Sequence, residues 1–79
     1  MTATLTNLLL NDRGVAFDPA AGETYQLSAT ALNLIRLLQH GENEASLLQH
    51  LIEKYDVEES TACRDLASFL GQLEEMKWI

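Results

Sequence analysis

Cys63 and the two histidines are the side chains of this sequence best suited to nucleophilic or metal chemistry. Arg64 follows Cys63, and a neighbouring cation lowers the pKa of a thiol, but a nucleophile also needs a positioned base. His40 and His50 fall on or beside two successive predicted helices, with no third metal ligand at a usable spacing. The pattern favours ordinary surface histidines and a buried or half-buried cysteine over a catalytic residue or a metal site.

The other motifs that carry reactions are missing from the sequence. Nucleotide binding requires a glycine-rich loop, and the four glycines here are scattered along the chain (Gly14, Gly22, Gly41 and Gly71). An acyl carrier protein needs a serine in an Asp-Ser-Leu setting, whereas residues 65–68 read Asp-Leu-Ala-Ser. We expect no catalytic residue, no metal and no cofactor.

Composition and charge restrict the class of partner. A chain of 79 residues has room for one core, so we expect a single domain over residues 1–79. Twelve carboxylates face five basic residues, a net charge of −7 that disfavours binding to nucleic acid. One cysteine, no signal-peptide pattern and no apolar run of about 18 residues predict a cytoplasmic protein without a membrane partner.

The first third of the chain predicts a three-stranded antiparallel meander. Residues 5–10 form a β-compatible apolar stretch that ends at a turn over residues 11–14. Val15 and Phe17 alternate with Ala16 and Asp18, which gives a second strand one apolar face. A turn over residues 19–22 leads to a third strand at residues 23–27, on which Tyr25 shares a face with residues 23 and 27.

The remainder of the chain has helical periodicity in three segments. Ser28 is a suitable N-cap for a helix over residues 29–39, with Gly41 just past its end. Asn43 caps a second helix over residues 44–55. A third helix over residues 58–76 carries an apolar stripe: Ala62, Leu66, Phe69, Leu70, Leu73 and Met76. With Trp78 and Ile79 folding back over the core, this predicts an α+β, winged-helix-like fold whose strands come first.

Residues 18–79 resemble the PqqD family, which also forms the recognition element of many peptide-modifying enzymes. Four segments carry the resemblance: DPAAGETYQLS at residues 18–28, ATALNLIRLL at 29–38 followed by Gly41, LLQHLIEKYDV at 47–57 and RDLASFLGQL at 64–73. The first segment resembles the family's turn and strand, and the second resembles its first helix, which is followed by a glycine. The third resembles the second helix, which ends in an aromatic residue followed by Asp-Val, and the fourth resembles the third helix. Lys77 departs from the family, which usually has a glycine at that position.

The resemblance implies a peptide adaptor without catalytic activity. The leader segment of a ribosomally made precursor peptide is expected to add as a strand to the third strand and to be presented to a peptide-modifying enzyme. An open sheet edge supplies the general mechanism, because its unpaired N–H and C=O groups accept an extended peptide. The peptide-binding residues expected on this basis are Glu23, Thr24, Tyr25, Gln26 and Leu27 on the strand, and Arg64, Ala67, Ser68 and Gly71 beside the groove.

Two other functions remain open from the sequence: a winged-helix DNA-binding regulator and a structural subunit of a protein complex. Residues 58–76 hold five carboxylates and one basic residue, Arg64, so a recognition helix there would repel phosphate. An exposed strand edge also permits self-pairing, so the expected states are a monomer or a strand-exchanged dimer.

Overall fold

The computed structural model describes residues 3–79 and contains a three-stranded sheet and four helices within that range. In chain order the elements are α1 (Ala3–Asn7), β1 (Leu9–Leu10), β2 (Val15–Asp18), β3 (Glu23–Gln26), α2 (Ala29–Gln39), α3 (Glu44–Tyr55) and α4 (Glu59–Glu75). Three antiparallel strands followed by helices confirm the predicted α+β class. The predicted helices over 29–39 and 44–55 have the observed bounds.

The sheet is an antiparallel meander in the order β1-β2-β3, so β3 lies at an edge. Ala16 of β2 pairs with Tyr25 of β3 and is completely buried. Val15 and Phe17 lie on the opposite face, where they are only half-buried. The core therefore covers the face that carries the small residue Ala16, and the larger apolar side chains of β2 point away from it.

The prediction of a strand over residues 5–10 is wrong for most of that segment. Residues 5–7 belong to α1, and strand pairing is confined to Leu9 and Leu10. Leu5 and Leu8 are buried, and their spacing of three residues fits a helical turn. Leu9, by contrast, is 60% exposed. The Gln39 side chain of α2 donates hydrogen bonds to the carbonyl oxygens of Leu5 and Leu8, at 3.0 and 2.9 Å. A contact with a distant helix thus satisfies carbonyl groups at the end of α1.

The helix boundaries are set by side-chain and backbone caps. The Ser28 hydroxyl accepts from the Ala31 N–H, and the Asn43 side chain accepts from the Ser46 N–H, which confirms both predicted N-caps. Gly41, at φ +87°, closes α2, and the N–H of Glu42 donates to the carbonyl of residue 37. None of the helices within residues 3–79 is long and apolar enough to cross a membrane.

The C-terminal end of α4 reverses through a left-handed turn at Lys77. Lys77 has φ +60°, and its N–H donates to the Glu74 carbonyl while the Trp78 N–H donates to the Leu73 carbonyl. These two bonds form a Schellman motif, whose left-handed position is usually occupied by glycine. The turn returns Trp78 to the core, where it is 2% exposed, as the sequence predicted.

The core lies between one face of the sheet and the helices. Its buried apolar residues come from the four helices, from β2, from the link between α1 and β1 and from the turn after α4: Leu5, Leu8, Ala16, Leu34, Ile35, Leu38, Leu47, Leu51, Ala62, Leu66, Leu73 and Trp78. Met76, expected on the buried stripe of α4, is 39% exposed. The helix ends at Glu75, so the stripe stops there and Trp78 covers the core instead.

We predict that Lys77→Gly stabilises the protein. A left-handed conformation costs a residue with a Cβ about 1–2 kcal/mol, part of which is offset by the greater freedom of glycine in the unfolded chain. The expected net gain is about 0.5–1 kcal/mol, measured by urea denaturation. Lys77→Ala is the matched control, since it removes the charge but keeps the Cβ. Equal stability of the two variants would contradict the prediction.

Candidate functional site

The outer edge of β3 presents unpaired backbone groups at two residues. The Leu27 N–H donates to the Gly14 carbonyl at 2.7 Å, directly beyond the paired residues Gln26 and Val15. Because an antiparallel strand alternates between hydrogen-bonded and non-hydrogen-bonded pairs, residues 23 and 25 also bond to β2. Thr24 and Gln26 therefore direct their N–H and C=O groups to the open edge.

A close backbone approach holds the end of this edge strand against β2. Gly14 has φ +84°, and a Cβ added there would lie 2.6 Å from the Leu27 carbonyl oxygen. Both the conformation and the contact exclude a larger residue at position 14. The Gln26 side chain donates to the Arg13 carbonyl at 3.0 Å and ties β3 to the turn before β2. These two contacts hold β3 against β2, so the open edge belongs to a pair of strands that is fixed at this end.

Tyr25 connects the edge strand to the C-terminal turn. Its ring meets that of Trp78 edge to face, with centroids 5.0 Å apart and planes at 85°. Its hydroxyl donates to a Glu23 carboxylate oxygen at 2.6 Å. That hydrogen bond, with partial burial and the negative charges of Glu23 and Asp18, raises the pKa of Tyr25 above its ordinary value. The neutral hydroxyl is therefore maintained beside the edge.

A hollow of about 440 Å³ lies between α2, α3 and α4 and begins where β3 leads into α2. Its lining combines apolar side chains at the base with polar groups: Ser28, Thr30, Ala31, Leu34, Leu51, Tyr55, Val57, Ala62, Asp65, Ser68, Phe69 and Gln72. The Thr30 hydroxyl donates to the Tyr55 hydroxyl at 3.0 Å, which links the start of α2 to the end of α3. Apolar surface with a few polar groups is typical of a site for peptide side chains.

The structure separates the four residues of α4 that the sequence placed beside one groove. Ser68 lines the 440 Å³ hollow, whereas Ala67 lines another hollow on the opposite side of α4. Arg64 and Gly71 line neither of these hollows and are exposed. Because successive residues of a helix are about 100° apart, neighbours such as Ala67 and Ser68 face different sides. The five strand residues, in contrast, follow one another along β3 and into Leu27.

Of the residues that line the hollow, the sequence predicted Ser68 alone as a peptide-binding residue, and among those it missed on α4 are Asp65, Phe69 and Gln72. Phe69 was assigned to the core stripe, but it is only half-buried and sits at the margin of that stripe. Asp65 and Gln72 each lie about one turn from Phe69, before and after it, on the same side of α4. A helical projection places all three at a border of the apolar stripe, but it marks the residues of the opposite border equally, so it offers them only as candidates.

The side chains considered for catalysis lie apart from this hollow. Cys63 is exposed, not buried as expected, because it points away from the core-facing residues Ala62 and Leu66 of α4. His40 is exposed, but His50 is half-buried, and its Nε2 has no hydrogen-bond partner among the described residues. Within residues 3–79, no group of three or more acidic, cysteine or histidine side chains is placed to hold a metal ion.

Comparison with known proteins adds two findings to this geometry. The family described as Coenzyme PQQ synthesis protein D (PqqD) matches residues 13–79. The chain belongs to the PqqD family. A solved structure titled lasso peptide synthetase B1 complexed with the leader peptide is similar, with a TM-score of 0.72 and 34% sequence identity, over 87% of this chain and 82% of that chain. No curated protein matches this chain significantly.

In this PqqD-family chain a lysine occupies the left-handed position of the C-terminal turn, where the resemblance led us to expect glycine. Lys77 itself adopts the left-handed conformation that glycine would adopt more easily. Trp78 therefore reaches Tyr25 despite the substitution. The turn therefore carries the conformational cost of a left-handed residue that has a Cβ.

We predict that Glu23→Gln lowers the pKa of Tyr25 towards its ordinary value. The substitution replaces the carboxylate that accepts the hydrogen bond from the Tyr25 hydroxyl. That hydrogen bond is the main cause of the raised pKa. The interactions that raise the pKa contribute fully to the stability of the fold at pH values below the ordinary tyrosine pKa. This contribution disappears as the pH rises through the pKa of Tyr25 in the folded state. In a Tyr55→Phe background, tyrosinate absorbance during an alkaline titration reports Tyr25 alone, because the chain has two tyrosines.

The matched control for this titration is Glu42→Gln, which changes the net charge equally at an exposed position outside the sheet. It should leave the Tyr25 midpoint in place. An equal fall in both variants would show that overall charge, and not the hydrogen bond to Glu23, raises the pKa.

Proposed function

We propose that this PqqD-family protein binds the leader segment of a ribosomally made precursor peptide and presents it to a peptide-modifying enzyme. The observation that carries the proposal is the open edge of β3, where Thr24 and Gln26 offer backbone donors and acceptors. The similar lasso peptide synthetase B1, solved with a leader peptide, supports the same class of ligand. An extended leader adds as a fourth strand, antiparallel or parallel to β3.

Side chains of the added strand enter the 440 Å³ hollow. Leu34, Leu51 and Phe69 supply apolar contact there, while Asp65 and Gln72 supply polar contact. We assign Ser68 to this contact and place Arg64, Ala67 and Gly71 outside it, because they face other sides of α4. Backbone pairing provides most of the affinity, and the hollow selects among sequences.

The proposed role requires no reaction in this chain. A recognition domain supplies binding, and the partner enzyme supplies the catalytic groups. The acidic surface opposes the alternative of DNA binding, since the exposed part of α4 carries Arg64 among Glu59, Asp65, Glu74 and Glu75. Leader peptides lose chain entropy when they become ordered. We therefore expect a dissociation constant near micromolar, which corresponds to a binding free energy of about 8 kcal/mol.

We predict that Thr24→Pro weakens leader binding by about tenfold or more. Proline removes the outward N–H, and one backbone hydrogen bond of about 1.5 kcal/mol corresponds to about tenfold in affinity. An edge strand tolerates proline where its N–H faces solvent, so the fold should persist. The measurement is a titration of the purified protein with the precursor peptide encoded beside its gene, followed by the fluorescence of its single tryptophan, Trp78, and by amide NMR shifts.

Thr24→Val is the control for this variant, because it keeps the N–H and a similar side-chain volume. It should bind the peptide like the original protein. Equal binding by the proline and valine variants, with NMR showing both folded, would contradict strand addition at β3.

We predict that Gly71→Ala raises stability and leaves leader affinity unchanged. A Cβ at Gly71 meets no atom within 4 Å, and alanine is favoured over glycine within a helix by up to about 1 kcal/mol. Urea denaturation measures the gain, and the same titration measures affinity. A clear loss of affinity would show that the leader passes over Gly71 and would move the binding path to the outward side of α4.

A further inference from the structure

A second groove lies on the side of α4 that faces away from the 440 Å³ hollow. It consists of two adjoining hollows of about 300 Å³ each, which share the lining residues Glu44 and Leu70. The lining residues come from the start of α3, from α4 and from the chain end: Leu38, Glu42, Asn43, Glu44, Ala45, Leu48, Cys63, Leu66, Ala67, Leu70 and Ile79. We call this depression the back groove.

The back groove has an apolar base and an acidic rim. Leu48 and Leu70 are half-buried in it, and Ala67 is exposed to solvent. Glu42 and Glu44 are exposed at the end near the start of α3. None of the described residues that line it is lysine or arginine. Exposed apolar surface beside unpaired carboxylates fits a ligand with apolar anchors and basic flanks.

The back groove shares no lining residue with the 440 Å³ hollow. Adjacent residues Ala67 and Ser68 line the two different sites, so α4 forms a wall between them. A ligand in the back groove therefore leaves β3 and the hollow open. Such an arrangement allows one small domain to hold two partners at once.

We propose that the back groove docks an amphipathic helix with basic flanking residues, which belongs to a partner protein. A furrow between two packed helices accepts a third helix through anchors spaced i, i+3 or i+4 and i+7. The acidic rim selects lysine or arginine beside those anchors. A second copy of this chain fits poorly, because each copy carries a net charge of −7 and presents the same carboxylates. The proposal is independent of leader binding at β3.

The exposed thiol of Cys63 provides a direct test, since it lines the back groove and is the chain's single cysteine. The probe is a designed helical peptide of about 14 residues, roughly four turns, with leucine anchors and lysine flanks. At saturation it should slow alkylation of Cys63 by iodoacetamide by about tenfold or more, while a peptide of the same length with glutamate flanks should protect far less.

Two variants separate docking in the groove from general attraction to an acidic protein. Ala67→Arg fills the groove at an exposed helical position and should abolish protection, with circular dichroism confirming the fold. Glu44→Lys should reverse the preference between the lysine and glutamate peptides, whereas Glu53→Lys makes the same charge change on α3 outside the groove and should not.

The proposal is overturned by no protection with either peptide, by equal protection with both, or by equal effects of the two lysine substitutions. Protection that instead grows with protein concentration, together with a dimeric mass by light scattering, would assign the groove to a second copy of the chain. Each of these outcomes is read without leader peptide, so it is independent of the β3 titration.

Discussion

The contact between Trp78 and Tyr25 joins the two parts of the molecule on which the proposed site depends. Tyr25 belongs to the edge strand, and Trp78 follows the end of α4, so their rings hold the sheet against the helix that lines the hollow. Trp78 reaches this position through the left-handed turn at Lys77. A small domain has little buried area to spare, and the loss of one large buried aromatic residue would remove a substantial part of its stability.

The edge strand combines a firmly held inner side with an open outer side. Gly14 allows the backbone of β2 to approach Leu27, and Gln26 bonds to the adjoining turn. Thr24 and Gln26 are left with outward N–H and C=O groups. The proposed strand addition would therefore cost little reorganisation of the protein, and most of the ordering entropy would fall on the peptide.

α4 is the element that divides the surface into two sites. Its buried residues occupy one side, and the residues just beyond them on either side border different hollows. With 3.6 residues per turn, a 17-residue helix has enough turns to line both sites and still contribute Ala62, Leu66 and Leu73 to the core. The proposed peptide site and the proposed docking groove therefore lie on different sides of one helix and share no lining residue.

Local chemistry determined much of the fold from sequence alone. The caps at Ser28 and Asn43 and the glycine at Gly41 act within one or two turns, so they located α2 and α3 correctly. The family resemblance predicted the class of ligand, and the strand expected to bind it stays a prediction. The caps depend on neighbours in the chain, whose chemistry is visible in the sequence.

Tertiary contacts decided the rest. The helical residues 5–7 are tied to α2 by the Gln39 side chain, far along the chain, which donates to the carbonyl oxygens of Leu5 and Leu8. Only packing showed which residues of α4 border the hollow, since periodicity defines the centre of an apolar stripe more sharply than its margins. Phe69 lies at such a margin, and its environment depends on where α2 begins and α3 ends beside it. The sequence specifies each element through short-range interactions, whereas the surface of a site is formed by residues brought together from elements far apart in the chain.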